Sequence, residues 1–178
     1  MGRGAGRARC ARAFGVVLVA MLAAVVVVAC EAGPAPATPP IVAGVVEAPR
    51  EVNLIAKDDS FLPATLDLIP GETVLLHIIN GGLEVHEAVI GDGRVQDAWE
   101  RAEAAVADAP PGPTPAVSVP PDVAGLRVVV RSGERVDVTW TVPIGAAGAE
   151  PPAFVVGCHI AGHFARGMQI PVRWAGAS

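Results

Sequence analysis

The sequence predicts an all-β domain, a sandwich of about eight short strands with one short helix-containing insertion. Glycine and proline are abundant, at 20 and 17 residues, aromatic residues make up 4% and tyrosine is absent, so turns and short strands are favoured over long helices. Val136, Val138, Trp140 and Val142 alternate with Asp137, Thr139 and Thr141, the period-2 pattern of a strand with one wet face. At 178 residues and 52% hydrophobic content, the chain buries one core of ordinary domain size, and one domain is the default.

In chain order, residues 1–29 are set aside from the fold. Arg3, Arg7, Arg9 and Arg12 form a basic start, residues 14–29 are a nearly unbroken apolar run, and the run ends in "VVAC" at Cys30. The run is shorter than the roughly 20 residues that cross a bilayer comfortably as a helix. It resembles the bacterial lipoprotein signal, which implies cleavage before Cys30 and lipidation of that cysteine. The alternative is an uncleaved N-terminal anchor with an incidental cysteine. Both readings export the domain and place it at the outer face of the cytoplasmic membrane or in the periplasm, lipid-anchored at Cys30 in the first case.

Residues 30–50 are rich in proline and alanine without a regular period, and are expected to tether the lipid to a domain spanning 51–178. Within that domain, apolar runs on either side of Pro70-Gly71 predict a strand, a type II turn and a second strand. Residues 74–79 are apolar at almost every position, which suggests a central strand covered on both faces. Leu126, Val128 and Val130 alternate before a Ser132-Gly133 turn, and the last strands are expected at 153–157 and 168–174. The insertion, about 93–123, departs from this pattern. Val95, Trp99, Ala102 and Val106 share one helical stripe, and Pro110-Pro111 is expected to stop a helix that caps an end or edge of the sheet.

Chemistry concentrates in "VVGCHIAGHFARGM", residues 155–168, between the last two strands. If Cys10 leaves with the signal and Cys30 carries lipid, Cys158 is the one thiol left in the exported domain and no internal disulfide forms there. A lone thiol outside the cytoplasm needs protection by burial or by a metal. His163 and Met168 follow at C-x4-H-x4-M, in a loop clamped at both ends by strands. His86 starts a strand that, in a Greek-key order, can neighbour the one bearing the cysteine. Two imidazoles, one thiolate and one thioether suit copper, since two His and one Cys with a weak axial Met make an electron-transfer site. Zinc is less apt, favouring N, S and O donors without thioether. A cysteine hydrolase lacks a residue to orient a Cys-His pair. His159 is expected to point away from Cys158 in extended chain, and His77, inside an apolar strand, to be a hydrogen-bonded structural histidine.

On this ligand loop and on "SFLPATLDLIPGETVLLHIINGGLEVH", residues 60–86, the chain resembles the cupredoxins, the type 1 blue copper proteins related to plastocyanin, azurin, rusticyanin and auracyanin, over roughly 52–174. The resemblance implies a cupredoxin-like Greek-key sandwich. It also implies one type 1 copper ion held by His86, Cys158, His163 and Met168. Glu87 departs from relatives that place an asparagine there to tie the two ligand loops together. The loop is also similar to that of multicopper oxidases, but their trinuclear cluster needs eight histidines and this chain has four.

The resemblance implies a non-enzymatic one-electron carrier whose electron passes through the edge of His163, within a docking rim of Ile160, Ala161, Gly162 and Phe164. A periplasmic copper carrier or tolerance protein and a cupredoxin module of a respiratory complex are the alternatives. All 18 acidic residues but only nine of the 13 basic ones lie after position 30, which leaves the exported part at a formal −9. That charge argues against nucleic acid and anionic membrane surfaces, and favours a basic redox partner such as a cytochrome, oxidase or reductase for an otherwise monomeric domain.

Overall fold

The computed structural model describes residues 40–107, 117–144 and 151–176. The expected export signal, 1–29, and residues 30–39 of the expected tether, 30–50, lie outside the described residues, as does 108–116 of the insertion. The elements are β1 (Arg50–Lys57), β2 (Ser60–Leu62), β3 (Leu66–Leu68), β4 (Thr73–Asn80), β5 (His86–Gly91), α1 (Gly93–Ala104), β6 (Leu126–Val130), β7 (Arg135–Thr141), β8 (Val155–Gly157) and β9 (Gln169–Trp174). One sheet runs β2-β1-β4-β7 and the other β3-β9-β8-β5-β6. The crossings from one sheet to the other make a Greek-key β-sandwich.

Strand alternation supplies the core. Val52, Leu54 and Ala56 of β1 and Val74, Leu76 and Ile78 of β4 face Ala88, Ile90, Val156, Ile170 and Val172 of the other sheet, all buried. Each fully buried large apolar side chain contributes roughly 1.5–3 kcal/mol relative to exposure. The Pro70-Gly71 turn forms as its sequence demands: Gly71 has φ 82°, and the Glu72 N–H donates to the Ile69 carbonyl at 3.1 Å. Glu72 is buried beside Arg50, whose Nε donates to it at 2.8 Å. Burial raises the Glu72 carboxyl, but Arg50 and the Ile69 N–H outweigh it and hold the group below its ordinary value.

Two expectations shift. β4 is central in its sheet, yet its outward residues Leu75 and Ile79 are only half-buried, whereas β5 is buried at all six positions. The reason is α1, which lies on the outer face of β5 and β8 rather than capping an end of the sandwich. Asp92 caps its N-terminus, with Oδ1 accepting from the N–H groups of Arg94 and Val95 at 3.0 and 3.1 Å. Val95 and Trp99 of the predicted stripe are buried, and Trp99 donates to the Ala124 carbonyl at 2.8 Å. The helix ends at Ala104, before the prolines, because the N–H groups of Val106 and Ala107 bond three residues back and tighten the last turn. Among the described residues no helix is long and apolar enough to cross a membrane.

His77 sits on the outward face of β4, 6% exposed, where its Nδ1 lies 2.8 Å from Asp137 Oδ1 and 2.7 Å from Arg135 Nη2. Arg135 first, and then His77, holds the Asp137 carboxyl down to about 2. A depressed carboxylate contributes stability above its unfolded value, about 3.9, and loses it as pH falls through the folded one. Asp137→Asn is therefore expected to flatten the decline of unfolding free energy between about pH 4 and pH 2, read by denaturant titration at several pH values. An unchanged slope would remove Asp137 from the acid transition.

Candidate metal centre

β5 and β8 are antiparallel neighbours, with Val89 opposite Gly157 and Ile90 opposite Val156, so His86 at the start of β5 and Cys158 at the end of β8 reach the same end of the sandwich. The loop that follows is closed on itself. The Cys158 N–H donates to the Met168 carbonyl at 3.1 Å, and the Met168 N–H donates to the His163 carbonyl at 3.0 Å. The C-x4-H-x4-M spacing thus returns the chain to β9 while His163 projects inward from the turn. His86, Cys158 and His163 come together with one ligand atom from each within 4.8 Å of the others, all three buried. Met168 is fully buried at the base of the same loop and belongs to the main core.

The imidazoles are oriented by carboxylates. His86 Nε2 lies 3.2 Å from Asp58 Oδ1, and His163 Nε2 lies 3.0 Å from Glu84 Oε2. Nε2 protons directed to these acceptors would leave the Nδ1 lone pair of each ring facing inward, the tautomer that carboxylates fix in ligating histidines. The two Nδ1 atoms are 3.2 Å apart, and His163 Nδ1 is 3.3 Å from Cys158 Sγ. Asp58 is itself pinned by the N–H groups of Leu83 and Glu84 at 2.9 and 3.4 Å; the Leu83 bond first, then His86, lowers its carboxyl. Gly82 makes room for this, since a Cβ there would lie 2.3 Å from Asp58 Oδ1 and 3.0 Å from His86 Nε2.

Cys158 accepts from the Glu87 N–H at 3.4 Å, yet burial pushes its thiol up to about 11. A neutral thiol is therefore the resting form near pH 7, and a soft cation bound at Sγ displaces its proton. Three electron-rich atoms, two of them borderline nitrogens and one a soft sulfur, converge in a buried cradle. That donor chemistry fits a type 1 copper site.

Glu87 answers the question its sequence position raises. It is fully buried, and its Oε1 accepts from the N–H of His159 at 3.0 Å while Oε2 accepts from Arg127 Nε at 2.6 Å. The carboxylate thus ties the residue after His86 to the residue after Cys158 and so cross-links the two loops. Arg127 compensates the buried charge, bonds Glu103 at 2.8 Å and lies 4.5 Å over the Trp99 ring. Burial, and then the charge of Glu87, raises the Glu103 carboxyl above its ordinary range.

His159 is buried and turned away from the three ligand atoms. Its ring stacks on Phe164 at 4.6 Å and is gripped from α1, with Nδ1 2.8 Å from Glu100 Oε2 and Nε2 2.8 Å from Gln96 Oε1. Gly157 permits the approach, because a Cβ there would meet Gln96 Oε1 at 2.5 Å and Phe164 at 2.9 Å. The insertion therefore buttresses the ligand loop. Ala161 and Gly162 are exposed around His163, Ile160 and Phe164 are half-buried, and Leu83 at 87% exposure extends the apolar rim.

Sequence reasoning did not find Asp58, Glu84, Gln96, Glu100 or Arg127. Only Glu84 carried a local signal, a carboxylate two residues before a candidate ligand. Arg127 reaches Glu87 because β5 and β6 pair with Glu87 opposite Val129, which puts Arg127 on the same face two residues along.

The sequence matches no protein-family model and no curated protein. The fold matches solved structures. Auracyanin B aligns with a TM-score of 0.55 at 24% identity, over 75% of this chain and 94% of that one. Reduced auracyanin from Roseiflexus castenholzii aligns at 0.53 and 18%, over 70% and 96%. Auracyanin A, a blue copper protein from Chloroflexus aurantiacus, aligns at 0.52 and 20%, over 70% and 98%. These are cupredoxins, and the chain has the cupredoxin fold, as its ligand loop implied.

Proposed function

We propose that this protein is an exported one-electron carrier, tethered to the membrane through lipid at Cys30, in which His86, Cys158, His163 and Met168 would hold a single type 1 copper ion. When bound, copper supplies a Cu(II)/Cu(I) couple. The observation that carries the reading is the convergence of two Nδ1 atoms and one Sγ in a buried cradle whose rings are held from behind by Asp58 and Glu84. Donors pinned in this way move little between oxidation states, which keeps the reorganisation small. The reading assigns no catalysis to the chain.

His163 is the ligand nearest solvent, 4% exposed, and the rim of Ile160, Ala161, Gly162 and Leu83 around it suits a small, transient contact. Glu84 and Asp58 border that rim and, with the −9 charge of the chain after residue 30, favour a basic partner, a cytochrome or a membrane oxidase or reductase. A visible and electron paramagnetic resonance spectrum of the copper-loaded protein is expected to show intense blue or green colour with the copper retained through repeated reduction and oxidation. A colourless Cu(II) protein would refute the site. Coloured protein that surrenders its copper to an acceptor on reduction would instead identify a copper carrier.

A further inference from the structure

We infer that the pole of the sandwich opposite the metal centre rests on the lipid surface, through Ile41, Val42, Val45, Val46 and Ile144. This rests on the proposed membrane tether and adds an orientation to it. Nine large apolar residues are exposed among the described residues, and five of them lie on this one pole, with Val42 and Ile144 each at 78% and Val46 at 70%. Scattered singly they would mean nothing, but gathered on one end they form a patch that needs an occupant.

Their display is built. The Gly44 carbonyl accepts from the Thr73 N–H at 3.0 Å, and a Cβ on Gly44 would lie 2.2 Å from both Arg50 N and Thr73 O, so the chain is laid directly against the starts of β1 and β4. Val45 and Ala48 then exchange two backbone hydrogen bonds, 3.1 and 3.0 Å, which close a tight turn and hold Val45 and Val46 outward. Ile144 belongs to the same end, since a Cβ on Gly71 of the neighbouring turn would touch it at 3.0 Å. Glu47 is the one charged residue in 41–48, while Asp58, Asp59 and Glu84 cluster at the other pole.

The occupant follows from where the chain leads. Ile41 stands eleven residues after Cys30, the proposed lipid attachment, a span of at most about 40 Å when extended. β1 and β4 carry the fold from this pole to the metal centre, and eight residues of strand cover roughly 26 Å. A bilayer against the apolar pole therefore leaves the acidic rim and His163 facing water, where a partner can reach them. A shallow apolar patch of this kind sinks into the headgroup boundary and adds a second attachment to a single lipid.

The test uses the full chain in phosphatidylcholine vesicles, with tryptophan introduced as Val46→Trp or, at the metal pole, Leu83→Trp. Emission is compared with that of the wild type in vesicles with and without bromine on the acyl chains. The proposal expects bromine to quench the added emission of Val46→Trp by about two-fold or more and to leave that of Leu83→Trp unchanged. Quenching of neither variant, or of both, overturns it while the chain still floats with the vesicles. Added emission from Val46→Trp that shifts with protein density and ignores bromine assigns the patch to a second copy and overturns it too. A chain that does not float with vesicles refutes the tether itself, and the orientation with it.

Discussion

Replacing Cys158 by serine is expected to abolish the intense colour of the copper protein and to weaken its hold on copper, while the fold survives. In the proposed site the sulfur would be the one anionic donor, and its bond to copper would distinguish that site from an ordinary two-histidine surface site. A serine hydroxyl at the same point does not ionise near neutral pH, so the cradle would lose both its charge and its soft atom. The substitution is sterically mild: Cys158 is fully buried, and a serine oxygen still accepts from the Glu87 N–H that now donates to Sγ at 3.4 Å. Circular dichroism and denaturant unfolding of the metal-free variant check the fold, and visible absorption with a copper titration checks the site. Retained colour in Cys158→Ser would exclude Cys158 as the thiolate ligand.

The second large effect is expected at Glu87. Glu87→Ala removes the acceptor of the His159 N–H and the closest partner of Arg127 in a position without solvent. Breaking a buried pair by deleting one member costs about 3–5 kcal/mol when the other charge is stranded. Arg127 keeps Glu103 at 2.8 Å and is 24% exposed, so a loss of about 2–3 kcal/mol in unfolding free energy is expected. Glu87→Gln retains an oxygen for the His159 N–H and separates the charge from the cross-link. It is expected to keep the narrow copper resonance that Glu87→Ala broadens, because the cross-link rather than the charge holds the two ligand loops in register. Equal spectra for both variants and the wild type would show that the loops are held without Glu87.

Both predictions begin from residues whose types were readable in one dimension. Cys158, His163 and Met168 lie on a single loop whose spacing is a property of the chain, and their chemistry limits the metal before any coordinate is known. The strand pattern was equally local: period-2 alternation located β6 and β7, and Pro70-Gly71 located the turn before β4. The burial of β4 and β5 was not legible, because an apolar run reports that a strand is covered without saying by what. α1, laid on the outer face of β5, decided it.

What the sequence determined by itself was therefore the class of the fold, the ligand loop and the donor types, all of which follow from residues near one another in the chain. Only the tertiary structure decided how the donors are held. Asp58 stands 28 residues before the histidine it orients, Glu87 reaches 40 residues on to Arg127 and 72 to the His159 N–H, and Gln96 and Glu100 grip His159 from an inserted helix. Such contacts depend on strand register and on which face a helix covers. Those are products of packing the whole chain, and no local pattern of side chains records them.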